Sequence, residues 1–152
     1  MASIRDIWLH ANNIIRTSRQ MVNDGLRPLG LSSAEGNVLV HLLTQQHVLR
    51  QEDIVEQLDV SKPAVSRALD SLEQKRFVLR KKDMNDKRAN LVLLTPKAKQ
   101  IGASVLEVYD GVFRIAMQVV SQHEMPHAID MLARISDSFA AARQQRRQPD
   151  AE

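Results

Sequence analysis

A chain of 152 residues is the size of one domain, or of one domain with a helical extension, and its 43% apolar and 26% charged content is ordinary for a globular protein. The absence of cysteine excludes disulfides, thiolate metal sites and thiol redox sensing. No apolar run approaches the length of a membrane span, and Arg5, Asp6, His10, Asn12 and Asn13 interrupt any signal-peptide pattern, so a cytoplasmic location is expected.

In chain order, residues 4–22 carry apolar side chains at a helical period, from Ile4, Ile7 and Trp8 to Met21 and Val22. Gly25 is the expected stop, and Pro28 and Gly30 mark the break. Ser32 and Glu35 form a capping box that opens a second helix. It reaches about Gln45 and turns Val38, Leu39, Leu42 and Leu43 inward. A short helix over 51–58 and a tight connection at Asp59 and Val60 follow. Ser61 is the expected N-cap of a helix over 62–75, where Pro63 is tolerated because first-turn amides have no intrahelical partner. Val65, Ala68, Leu69 and Leu72 of that helix face one way; Lys62, Pro63, Ser66, Arg67 and Asp70 face the other. A strand over 77–82, a turn over 83–88 and a returning strand over 90–94 form a hairpin. Thr95 and Pro96 then open a long helix to about Val120. Ser121 and Glu124 form a second capping box, and the last helix runs to about Gln148 with Met125, Ile129, Leu132, Ile135 and Phe139 on one face. The chain is polar from Gln144 and is expected to fray there.

The net charge of +3 matters less than its distribution. Residues 61–90 hold nine Lys and Arg against four Asp and Glu, whereas residues 31–60 hold one against five. A basic segment of this kind suits a polyanion; a solvated basic face is the plainer reading. The element order decides between them. Two short helices joined by a tight turn, followed by a two-stranded hairpin, predict a winged helix-turn-helix, mainly α with a small β-hairpin wing.

In that arrangement helix 62–75 enters the major groove of double-stranded DNA. Ser61 and Ser66 can donate to phosphate or base edges, and Pro63 shapes the first turn. Arg67 can address a guanine bidentately, and Lys62 can meet guanine or phosphate. The hairpin tip carries Lys87 and Arg88, which reach beyond the helix. Arg88 suits the minor groove, where negative potential is enhanced. Asp86 is expected to hold Arg88 or a neighbouring arginine in place.

The runs LSSAEGNVLVHL and EDIVEQLDVSKPAVSRALDSLEQKRFVLRKKDMNDKRANLVLLT resemble the MarR family of bacterial transcription regulators over roughly residues 30–100. The features that carry the resemblance are the serine-capped helix, Leu72-Glu73 before the wing, Asp86 and Arg88 at its tip, and Leu94-Thr95 before the next helix. The resemblance implies a homodimer on a palindromic operator, usually a repressor, released by a small anionic or aromatic effector lodged between the dimerisation helices and the DNA lobe. Trp8 or His41 can line such a pocket, although Trp8 also fits the core or a dimer interface. Two positions depart from the family pattern: Arg76 and Ala98 stand where glycine is frequent. If position 76 needs a positive φ, arginine costs on the order of 1 kcal/mol there.

A physical argument also points to a dimer. A helix from 96 to about 120 is roughly 37 Å long. Its apolar positions, with those of residues 4–22 and 125–139, need a further surface, and a second copy supplies one. The expected division is a helical dimerisation region over 1–30 and 96–148, a winged helix-turn-helix over 31–95, and a tail over 149–152. The sequence thus reads as a dimeric, effector-responsive repressor, not an enzyme and without a cofactor. The alternative is a winged-helix protein-interaction module without DNA specificity.

One motif points elsewhere. HEMPH, His123 to His127, matches the H-E-x-x-H metalloprotease pattern. Pro126 interrupts the helix that would present both histidines, Glu124 is taken by the capping box, and no third ligand follows. A regulatory metal on His123 and His127 remains open beside the reading as surface histidines.

Overall fold

The computed structural model describes residues 1–146. The chain forms α1 (Ile4–Leu26), a 3₁₀ turn (Arg27–Leu29), α2 (Ser33–Thr44), β1 (Leu49–Arg50), α3 (Gln51–Leu58), α4 (Lys62–Gln74), β2 (Val78–Lys82), β3 (Asn90–Leu94), α5 (Pro96–Met117) and α6 (Met125–Arg146). The predicted class, a helical winged helix-turn-helix with a small β wing, is the class observed. Two compact units divide the chain, one over Met1–Val112 and one from Phe113 onward.

In the first unit the sheet is antiparallel in the order β1-β3-β2. β2 and β3 pair from Val78 opposite Leu94 to Lys82 opposite Asn90, which makes the expected hairpin. β1 was not expected. It is a two-residue bridge, Leu49 opposite Val92 and Arg50 opposite Leu91, too short to leave an alternating pattern. Leu39, Leu49, Ile54, Leu69, Leu72 and Val78 are sealed in the core, as the helix-turn-helix pattern requires. Val22 and Leu26 of α1 and Ala98, Val105 and Tyr109 of α5 belong to the same core.

The first helix corrects an expectation. Gly25 does not stop α1, which continues to Leu26. A Cβ at Gly25 would lie 2.7 Å from Val108 Cγ1, so this glycine lets α1 and α5 approach. The stop is Gly30, which closes the 3₁₀ turn in the left-handed region at φ 70°. Gly36 serves the same purpose inside α2: a Cβ there would meet Leu26 Cδ1 at 2.3 Å and the Tyr109 hydroxyl at 2.8 Å. The Tyr109 hydroxyl donates to Asn37 Oδ1 at 2.7 Å, and burial pushes this phenol above its ordinary range.

In the second unit α5 ends at Met117, three residues short of the expected Val120. Gln118 and Val119 donate to Ile115 and Ala116, three residues back, and these tighter bonds close the helix early. The Ser121–Glu124 capping box forms as expected: Ser121 N–H donates to Glu124 Oε2 at 3.0 Å and Glu124 N–H to Ser121 Oγ at 3.2 Å. Glu124 is held below the usual carboxylate range by these bonds to Ser121. α6 is helical through Arg146, past the start of the expected fraying at Gln144. Its expected end near Gln148 and the 149–152 tail lie outside the described residues. No described residue of α6 is buried.

Candidate nucleic-acid interface

The candidate interface is built on α4. Ser61 caps it by accepting the Ala64 N–H at 3.3 Å, and Pro63 occupies the first turn at no hydrogen-bonding cost. Val65, Ala68, Leu69 and Leu72 are buried, and this anchors the helix. The opposite side presents Lys62, Pro63 and Arg67 to solvent, with Ser66 half-buried beside them.

The far end of α4 is held by a polar cluster that periodicity does not reveal. Lys75 Nζ donates to both oxygens of Glu35 at 2.9 Å and to the Gly30 carbonyl at 2.8 Å. Glu35 also accepts the Ser71 hydroxyl, while its backbone N–H completes the predicted capping box with Ser32. Burial works to raise the Glu35 pKa, but the bonds from Ser71, Lys75 and Ser32 outweigh it and hold the carboxyl below its usual range. The next residue, Arg76, takes φ 62°, the left-handed conformation that the frequent glycine implied. Thr95 Oγ1 donates to the Arg76 carbonyl at 2.8 Å and accepts the Ala98 N–H at 3.2 Å, so the Leu94-Thr95 pair both fastens this strained turn and caps α5.

At the wing one expectation needs correction. Asp86 does not grip an arginine side chain; its Oδ1 accepts the backbone N–H of Arg88 at 3.0 Å. An aspartate two residues before an amide satisfies it locally, which is the cheaper bond for a tight turn. Asp83 does the same for Asn85 N–H at 2.9 Å, and its other oxygen meets Arg50 at 2.6 Å, tying the wing base to the start of α3. Arg80 of β2 reaches back to α4, with Nη2 2.5 Å from Asp70 Oδ1 and 2.7 Å from Glu73 Oε2. Sequence reasoning missed Arg50, Lys75 and Arg80, and it saw Glu35 only as a capping acid and not as the partner of Lys75 and Ser71. Their one signal was a set of acids placed among basic residues, which does not say which pairs meet.

The outcome is an asymmetry of charge. The acids of α4 and the wing are engaged: Asp70 and Glu73 by Arg80, Asp83 by Arg50, and Asp86 by backbone. The side chains of Lys62, Arg67, Lys87 and Arg88 are exposed and take part in no hydrogen bond or ion pair among the described residues. Lys62 and Arg88, from α4 and the wing, line one cleft of about 370 Å³ together with Glu52, Asp53 and Glu56 of α3.

Trp8 and His41 lie apart from this cleft. Trp8 is 60% exposed on α1, which removes it from the core. His41 Nε2 lies 2.7 Å from Gln57 Oε1, across α2 and α3. His123 precedes α6 and His127 stands in its first turn beyond Pro126, so the two are not presented by one unbroken helix; their ring centroids are 5.9 Å apart. Among the described residues no cluster of three or more His, Asp and Glu could hold a metal ion, and no helix is long and apolar enough to cross a membrane.

Comparison with known proteins agrees with this architecture. Residues 31–89 match the MarR family model. An uncharacterized HTH-type transcriptional regulator of Bacillus cereus is 33% identical over 85 residues, which cover 56% of this chain and 57% of that protein, so the match spans little more than half the length of such relatives. In the S. aureus MepR–DNA complex the protein superposes with a TM-score of 0.81 at 22% identity, over 91% of this chain and 99% of MepR. A putative MarR family transcriptional regulator from Listeria monocytogenes, complexed with 26mer DNA, gives a TM-score of 0.78 at 21% identity, over 100% of this chain and 98% of that one. At these identities the solved structures speak for the fold. The segment that matches the MarR family model, residues 31–89, runs from the start of α2 to the wing.

Proposed function

We propose that this protein is a transcription regulator that binds double-stranded DNA as a homodimer at a palindromic operator, represses there, and is released by a small anionic or aromatic effector. The observation that carries the DNA reading is the charge asymmetry: free cations and engaged acids along α4 and the wing. Uncommitted Lys and Arg side chains need break no internal pair to neutralise phosphates. α4 lies in the major groove with Lys62, Ser66 and Arg67 toward the bases, Ser61 and Pro63 at its entry, and Lys87 and Arg88 on the flanking backbone or minor groove. No residue is given a catalytic role.

Exposed apolar residues support the dimer. In the first unit Ile4, Trp8, Ile14 and Ile15 of α1 are each more than half exposed. In the second, Phe113, Ile129 and Phe139 are exposed to a similar degree. Apolar surface on this scale marks an interaction site, and self-association through a two-fold axis covers it without a second gene product. Trp8 is the single tryptophan, so its fluorescence reports on dimerisation and on any effector that seats near α1.

The test is a mobility-shift series on duplex fragments selected from the host genome, at two salt concentrations. Arg67→Ala is expected to cost about 1–3 kcal/mol of discrimination between the selected site and its base-substituted variants. Arg88→Ala should weaken all sequences alike and reduce the slope of log K against log salt by about 1. A protein that stays monomeric, or that ignores duplex DNA at low ionic strength, overturns the proposal. Intact function in both arginine variants would favour the winged helix as a protein-interaction module instead.

A further inference from the structure

Arg80 lies on the hairpin, yet its side chain is spent on the recognition helix. It is four-fifths buried, far more than a strand residue that merely solvates a basic face. Its Nη2 reaches Asp70 Oδ1 at 2.5 Å and Glu73 Oε2 at 2.7 Å, its Nε lies 3.2 Å from the same Glu73 oxygen, and its backbone N–H donates to Glu73 Oε1 at 3.3 Å. Glu73 therefore holds both the main chain and the side chain of one residue, which fixes a strand position rather than just a charge. The planar guanidinium fork favours this geometry where an ammonium would not. Among the described residues no other ion pair joins α4 to the hairpin; Arg50–Asp83 ties the hairpin base to the start of α3.

The two acids are also the only ones in α4. Asp70 stands three and four residues after Arg67 and Ser66, on the outward face assigned to DNA. Left alone, Asp70 and Glu73 would repel phosphate where the duplex must lie. One arginine thus pairs with both acids, offsets part of their charge and bridges the helix to the wing.

We propose that Arg80, gripping Asp70 and Glu73, is a positioning residue for DNA recognition: it orients the Lys87–Arg88 tip relative to Arg67 so that both grooves are engaged at once. This rests on the DNA-binding reading above. Pre-setting the wing spares its ordering on binding, so loss of the clamp should appear mainly as loss of the wing's contribution.

The clamp and simple charge counting predict opposite results for Glu73→Gln. This change removes a negative charge beside a polyanion, so charge alone predicts tighter binding. The clamp predicts binding about tenfold weaker, the loss of roughly one charge-assisted hydrogen bond. The assay uses the full chain and the duplex that wild-type protein enriches from a random-sequence pool. Introduced into a Lys87→Ala/Arg88→Ala background, Glu73→Gln should cost under about twofold, because the wing it positions no longer contributes. Equal losses in both backgrounds would show a merely structural role and overturn the proposal, as would unchanged or tighter binding in the wild-type background. Hydrogen exchange on the protein without DNA supplies an independent arm. In Glu73→Gln the amides of 78–94 should exchange about tenfold faster while those of α2 keep their protection. Unchanged exchange across the hairpin also overturns the clamp. If wild-type protein enriches no duplex at all, the DNA reading fails, and the exchange arm still decides whether Arg80 holds the wing.

Discussion

Helices α4 and α6 both carry apolar residues at helical spacing, and their fates are opposite. Val65, Ala68, Leu69 and Leu72 of α4 are all buried. Ile129, Leu132 and Phe139 of α6 are all at least half exposed. An amphipathic stripe defines a face that seeks cover; it does not name what covers it. Within the first unit the cover of α4 is the chain's own core, whereas for α6 the dimer proposal supplies a second copy.

The largest expected effect tests this contrast directly. Leu69→Ala removes a fully buried side chain and should cost about 2–5 kcal/mol in denaturant unfolding. Leu132→Ala, measured on protein dilute enough to be dissociated, should change stability by less than about 0.5 kcal/mol. At high concentration the same change should weaken association in sedimentation equilibrium. A large loss for Leu132→Ala in the monomer would mean that α6 finds its cover within one chain.

A second effect separates the strained end of α4 from its relaxed start. Arg76 adopts φ 62° in a turn fastened by Thr95. Arg76→Gly should raise stability by about 1 kcal/mol, because glycine occupies the left-handed region without the Cβ penalty. Thermal unfolding checks this, and a loss would show that the arginine side chain makes a compensating contact.

The smallest effect concerns acid. Glu35 is held below the usual carboxylate range in the folded protein, so folding favours its charged form. Its contribution is present above the unfolded-state value and is lost as pH falls through the lower folded value. Unfolding followed from neutral pH into the acid range should therefore show a decline that Glu35→Gln flattens. An unchanged acid profile would show that the Ser71 and Lys75 contacts do not favour the charged form.

Much of the candidate interface was legible in the residues. The capping box at Ser32 and Glu35, the N-cap at Ser61 and the inward set of α4 are local, and local signals depend on spacing alone. The Arg76 conformation was legible too, through a glycine expected and not found. Gly25 misled because a glycine that ends a helix and one that admits a neighbouring helix look the same in sequence. Asp86 misled because its nearest donor was a backbone amide, invisible in a list of charges.

By itself the sequence determined the order of the helices and the hairpin, the faces that α2 and α4 turn inward and the basic character of residues 61–90, since each depends on neighbours within a few positions along the chain. Only the tertiary structure decided that Arg80 meets Asp70 and Glu73, that Arg50 meets Asp83, and that Lys75 meets Glu35 across 40 residues. The reason is physical: a charge chooses its partner by distance in space and by solvent exclusion, and neither exists until the core has closed.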